Sequence, residues 1–112
     1  MALRNFVVDS AVSLGASADG TAIPVDKNIE GFCIAAVISS SSSPVGTLKL
    51  QACIDTGSTP TNWADISDSS TSAIADGTIL WNIDAHSYKW VRTVYTRTSG
   101  SATMTTTFNE NV

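Results

Sequence analysis

Apolar and polar residues alternate along this chain in short runs, and no stretch of ten or more residues carries a 3.6-residue apolar period. Residues 47–55 set the pattern. Leu48, Leu50, Ala52 and Ile54 fall on one side, and Lys49, Gln51, Cys53 and Asp55 on the other, as in a strand with one buried face. Residues 101–109 repeat it, with Ala102, Met104, Thr106 and Phe108 against Ser101, Thr103, Thr105 and Thr107. Residues 78–83 put Ile79, Trp81 and Ile83 together. Residues 31–39 are nearly all apolar, which predicts a central strand or one buried on both faces. Residues 88–98 carry bulk on both sides: Tyr88, Trp90, Arg92 and Val94 against Lys89, Val91, Thr93, Tyr95 and Arg97. One of those sides is expected to meet a neighbour rather than water. Shorter strands are predicted at 5–9, 21–25, 63–66 and 70–75, with Pro24 marking an edge or a strand end.

Turn signals separate these runs at the roughly 8–12-residue spacing of all-β domains: Asp19-Gly20, Glu30-Gly31, Pro44-Val45-Gly46, Thr56-Gly57-Ser58, Asp76-Gly77 and Ser99-Gly100. The expected fold is all-β, a two-sheet antiparallel β-sandwich of jelly-roll-like type with about eight strands. An immunoglobulin-like sandwich is the next choice, but the Cys…Trp…Cys order is missing. Residues 88–98 and 101–109 are expected to form a hairpin about Ser99-Gly100. The serine run from Ser39 to Ser43, followed by Pro44, has little to bury and reads as a flexible hairpin loop over 39–46.

Composition narrows the function classes. The chain has 112 residues, which fits a single domain over 1–112. Charged residues make up 14% of it, against about 25% in an ordinary soluble domain. Hydroxyls take their place, with 16 Ser and 14 Thr. A net charge of −4 without a block of like charge argues against nucleic acid as a partner. No apolar run is long enough for a membrane helix, so no membrane partner is expected. Asn5, Asp9 and Ser10 interrupt the N-terminal apolar region, which is therefore not read as a secretion signal.

Candidate chemistry is sparse. Cys33 and Cys53 lie in predicted strands without a CxxC motif and read as reduced, buried thiols. The single histidine, His86, reads as a loop residue, and loop aspartates such as Asp55, Asp65, Asp68 and Asp84 read as turn formers. No nucleophile elbow, phosphate loop, dinucleotide fingerprint or HExxH occurs. No catalytic residue, cofactor or metal is assigned, and the chain is read as a non-enzyme. Trp81 and Trp90 are expected in the core, whereas Trp63 follows a polar loop and, with Asp65, is the candidate binding surface. Arg92 lies mid-strand and is expected to pair with Asp65 or Asp84, with stacking on Trp90 as the other reading. The apolar N-terminal residues Leu3, Phe6, Val7 and Val8 belong to a segment, 1–18, read as an outer strand or an arm reaching a neighbouring subunit.

The order of several segments resembles a known family. Gly46-Thr47-Leu48-Lys49-Leu50-Gln51-Ala52-Cys53-Ile54-Asp55 is followed by Asn62-Trp63-Ala64-Asp65-Ile66, then Leu80-Trp81-Asn82-Ile83. Tyr88-Lys89-Trp90-Val91-Arg92-Thr93-Val94-Tyr95-Thr96 and Ser99-Gly100-Ser101-Ala102-Thr103 close the series. This resembles the small structural proteins of tailed bacteriophages, over about residues 22 to 109. Cys53 stands where that pattern has Ser, and 56–61 replaces a shorter turn. The resemblance implies a virion protein: a head decoration (cement) or auxiliary protein, homo-oligomeric, a trimer being plausible in such proteins, bound to the major capsid or other virion proteins. It implies no catalysis. The alternative is a carbohydrate-binding or receptor-binding module of a tail fibre or adhesin, using Trp63 and nearby aspartates.

Overall fold

A computed structural model of the chain describes residues 4–25, 31–84 and 87–111. Leu3 and His86 lie outside the described residues. The described residues contain seven strands: β1 (Asn5–Ser13), β2 (Ala18–Asp19), β3 (Ile23–Pro24), β4 (Gly31–Cys53), β5 (Ala64–Asp65), β6 (Gly77–Ile83) and β7 (Trp90–Asn111). All pair antiparallel, and all belong to one sheet. The expected all-β class is what is seen, whereas the pairing joins the strands into one sheet where two were expected.

Two long strands organise everything else. β4 and β7 pair from Gly31–Asn111 at one end to Cys53–Trp90 at the other. At the first end the order is β1-β7-β4-β6, because β1 pairs with the last part of β7 and β6 with the first part of β4. At the second end β2 and β3 flank β7, and β5 flanks β4. We call these the first and second half-sheets. Threonine, valine and isoleucine fill both, as suits stiff β-branched side chains on a pleated surface.

The corner between the halves is where sequence and structure differ most. The expected hairpin at Ser99-Gly100 is absent, since β7 runs through it, and the serine run expected as a loop lies inside β4. The two segments face each other, with Ser42 opposite Ser101 and Val45 opposite Ser99. Between the Ser39–Thr103 and Gly46–Arg97 pairs, β4 uses one residue more than β7, and the pairing shifts register three times. Such bulges bend a strand and raise its twist. Ser40 and Ser43 take positive φ there, at 51° and 45°, and Gly100 sits at φ 75°. A Cβ on Gly100 would overlap the Ser43 carbonyl, so the position needs glycine on both counts. The turn signal was real, but β4 already occupied the pairing edge, and the signal became a bend.

In β7 the bend also resets which alternate residues face inward. In β7 the buried residues are Val91, Thr93 and Tyr95 before the corner, with Val94 buried beside them, and Ala102, Met104, Thr106, Phe108 and Glu110 after it. In β4 they include Phe32, Ile34, Ala36 and Ile38, then Leu48, Leu50 and Ala52, with Cys53 buried beside them. Side chains from both half-sheets, together with Leu14, Ile23, Val25, Ile74 and Trp81, form one buried cluster. Each fully buried large side chain contributes about 1.5–3 kcal/mol. Ile54, expected inward, is 68% exposed because β4 ends at Cys53.

Candidate functional site

The second half-sheet turns a polar row outward. Across its strands Asp65 lies opposite Gln51, and Gln51 opposite Arg92. Gln51 Nε2 donates to Asp65 Oδ1 at 3.0 Å, and Lys49 Nζ donates to Asp65 Oδ2 at 3.0 Å. The Gln51 hydrogen bond, then Lys49, holds the Asp65 carboxyl below its ordinary value of 3.8. Arg92 donates from Nε and Nη2 to Gln51 Oε1, at 3.1 and 2.8 Å. Its Nη1 lies 3.6 Å from Asp19 Oδ2, and its guanidinium sits 4.3 Å from the centroid of the Trp63 ring.

Trp63, Asp65 and Arg92 therefore come together in one row, the expected Trp63 and Asp65 surface joined by Arg92. Arg92 pairs with Asp19, because Asp65 is already held by Gln51 and Lys49. It stacks on Trp63, not on Trp90. Trp63 is half-buried, with the guanidinium against its ring. Trp81 is buried as expected, its indole N–H donating to the Ser69 carbonyl at 2.8 Å. Trp90 is half-buried outside the core cluster and donates to the Asp55 carbonyl at 3.3 Å. Next to this row, a cavity of about 230 Å³ is lined by Ala52, Ile54, Ile66 and Tyr88 with Asn62 and Asp65.

The loop after β4 is tied by Asp55. Its carboxylate accepts from the Asn62 side chain at 3.0 Å and from the backbone N–H groups of Thr61 and Asn62 at 2.9 and 3.1 Å. The Asn62 side chain, then those backbone donors, holds this carboxyl well below the usual carboxylate range. This is the turn-forming role that aspartate spacing suggests.

The first half-sheet presents a different outer face. Reading across its strands, one row is Asn5, Asn109, Cys33 and Asn82, the next Val7, Thr107, Ala35 and Leu80, and the next Thr105, Val37 and Thr78. None of these carries a formal charge. Leu80, Val7 and Val37 are 64%, 55% and 43% exposed. Cys33 is half-buried on this face, and burial pushes its thiol up from 9.0. Cys53 is buried at the far end of β4.

Among the described residues, the one ion pair of this half is turned away from that face. Glu110 is 4% exposed and accepts from Arg4 Nε and, at 3.1 Å, from the Arg4 backbone N–H. Arg4 also donates to the Pro24 carbonyl at 2.7 Å and lies over Phe6 and Phe108. The predicted arm residues follow suit: Phe6 packs on Phe108 at 5.5 Å, Val8 packs on the core, and Val7 faces outward. Described residues of the N-terminal segment thus form an outer strand of this sheet. No sequence signal pointed to Arg4 and Glu110, since strand pairing alone brings the two ends together.

Among the described residues, no group of three His, Cys, Asp or Glu side chains is placed to hold a metal ion. No described helix is long and apolar enough to cross a membrane. What the arrangement offers chemically is surface: one neutral face, and one polar face with its charges mutually satisfied.

No family model matches the chain, and no curated protein matches it. Among solved structures, the fold is similar to that of the SPBc2 prophage-derived protein YomS. The match covers 98% of this chain and 94% of that one, with a TM-score of 0.60 and 16% identity. At that identity the likeness is one of fold.

Proposed function

We propose that this chain is a non-enzymatic structural protein of a phage virion, a capsid decoration (cement) or head auxiliary protein. In this reading its bent sheet is a jelly-roll-like sandwich, and it assembles as many copies on the major capsid protein. The observation that carries the reading is the uncharged outer face of the first half-sheet, with Val7, Val37 and Leu80 exposed among threonines and asparagines. Such a face can be covered without stranding a charge. Two further points support it: the segment order resembling phage structural proteins, and the fold likeness to a prophage-derived protein. The arrangement of tryptophans supports it over sugar binding. Trp81 is buried and the half-buried Trp63 ring has Arg92 over it, so neither pairs with Trp90 as an open indole platform.

The test is light scattering on the purified chain, then electron microscopy after mixing with assembled capsids that lack it. The expected result is regular density on the capsid surface, weakened by V7E without loss of folding. Removing residues 2–18 is less informative, because it deletes a paired strand. Bare capsids together with a specific glycan-array signal would replace this reading with that of a carbohydrate-binding or receptor-binding module.

A further inference from the structure

We propose that β6 is a self-pairing edge, along which two copies of the chain join antiparallel and continue the sheet. It deepens the assembly reading by naming one partner, a second copy, but it is measured separately from capsid binding.

β6 pairs with β4 through seven consecutive partners, from Ile38–Gly77 to Phe32–Ile83, without a bulge. Among the described residues, no backbone group on its other side has a partner. Edge strands are ordinarily protected by bulges, prolines, lysines or inward charges. The opposite edge of this half-sheet, β1, has such protection: two register shifts, with Asp9 between them. β6 has none. Its sequence, Gly-Thr-Ile-Leu-Trp-Asn-Ile, is uncharged.

The side chains select the occupant and its register. Ile79 and Ile83 pack against the core but remain half-buried at the open edge. A second β6 that keeps inward residues inward can place Ile79 opposite the partner's Ile83, with Trp81 opposite the partner's Trp81 at the two-fold axis. The same register sets the exposed Thr78 hydroxyl opposite the carboxylate of the partner's Asp84, a donor facing an acceptor at each end. Sliding to centre the pair on Leu80 instead would set Asp76 against the partner's Asp84, a like-charge contact at both ends. Charge therefore favours the first register. The joined strands make about six backbone hydrogen bonds, and the neutral faces of the two copies become one.

The experiment is sedimentation equilibrium on the full chain from about 10 μM to about 1 mM, a range suited to a small interface. Wild type is compared with T78K and T78D, and circular dichroism checks that both variants fold. Wild type is expected to show a monomer–dimer equilibrium. T78K, opposite the partner's Asp84, should tighten it about fivefold, and T78D should weaken it about fivefold. Hydrogen exchange should slow at the β6 amides as concentration rises. A wild-type chain still monomeric at about 1 mM overturns the pairing, as does an equal shift in T78K and T78D. If such a monomer still decorates capsids, the assembly role stands without this contact. If dimers form and capsids stay bare, the pairing stands and the role fails.

Discussion

The two ends of one pair of strands, β4 and β7, carry opposite kinds of outer face. At the first end the outward residues of the two strands are Cys33, Ala35, Val37, Thr105, Thr107 and Asn109. At the second they include Lys49, Gln51 and Arg92, locked to Asp65 and Asp19. Backbone pairing is the same in both, so the difference lies in side chains alone. The low charge of the whole chain is thus unevenly placed: scarce charges gather into a self-satisfied row on the outer face of one half and leave the outer face of the other bare. Spreading them evenly would have left charges to be desolvated wherever a partner landed.

The corner that both halves share is where the comparison breaks most severely. G100A should cost about 4 kcal/mol, from positive φ plus overlap with the Ser43 carbonyl. Urea unfolding reads this directly, and both half-sheets should be lost in one transition because they share one core. Separate transitions for Trp81 and Trp90 would show that the halves are independent. Next comes E110A, expected to cost about 2 kcal/mol, since it removes the charge-assisted hydrogen bonds from Arg4 to the buried Glu110 that tie the start of β1 to β7. A loss below about 1 kcal/mol would show that the pair is no more than a surface ion pair.

The sequence showed strand type and facing well and connection poorly. Period-2 alternation located the cores of β4, β6 and β7 because a half-buried strand imposes it directly. It could not show that Ser99-Gly100 is a bend in a continuous strand, since glycine at positive φ serves a turn and a bulge alike. The polar row was half legible. Trp63 with Asp65 stood out as one surface and Arg92 as an ion-pairing residue, but the Gln51 bridge that joins them depends on the register of β4 with β5 and β7. Asp19 was read only as part of a turn, because its link to Arg92 depends on β2 pairing with β7.

A smaller effect tests whether the polar row is structural. R92A should lower stability by about 1.5 kcal/mol, through loss of the Trp63 stack, the Gln51 hydrogen bonds and the weak Asp19 pair. It should leave capsid binding unchanged, and Trp63 fluorescence should shift to the red as its ring opens to water. V37E, the matching change on the neutral face, should do the reverse: little change in melting, weaker binding. If R92A melts like wild type, the row is a surface decoration without structural weight.

Acid gives the finest distinction between the halves. Asp55 and Asp65 both have carboxyl groups held below the ordinary 3.8, by Asn62 and by Gln51 respectively. A carboxyl depressed in the folded state binds protons more weakly than in the unfolded chain. Its contribution is therefore fully present above the unfolded value and is lost as pH falls through the folded one. Both groups lie on or next to the second half-sheet; Asp65 is exposed and Asp55 half-buried, so solvent screens both. The expected outcome is a small loss of stability from about pH 4 downward, absent at neutral pH. D65N should remove part of the acid loss, and D55N should remove more, because Asp55 is depressed further. The carboxyl shifts themselves can be followed by NMR as pH is lowered. Thr107 and Val37, on the neutral face, should hold their chemical shifts while Gln51 and Asn62 move. Equal movement on both faces would mean that acid loosens the shared core rather than the polar row, and the two ends of the sheet would then differ in composition but not in response.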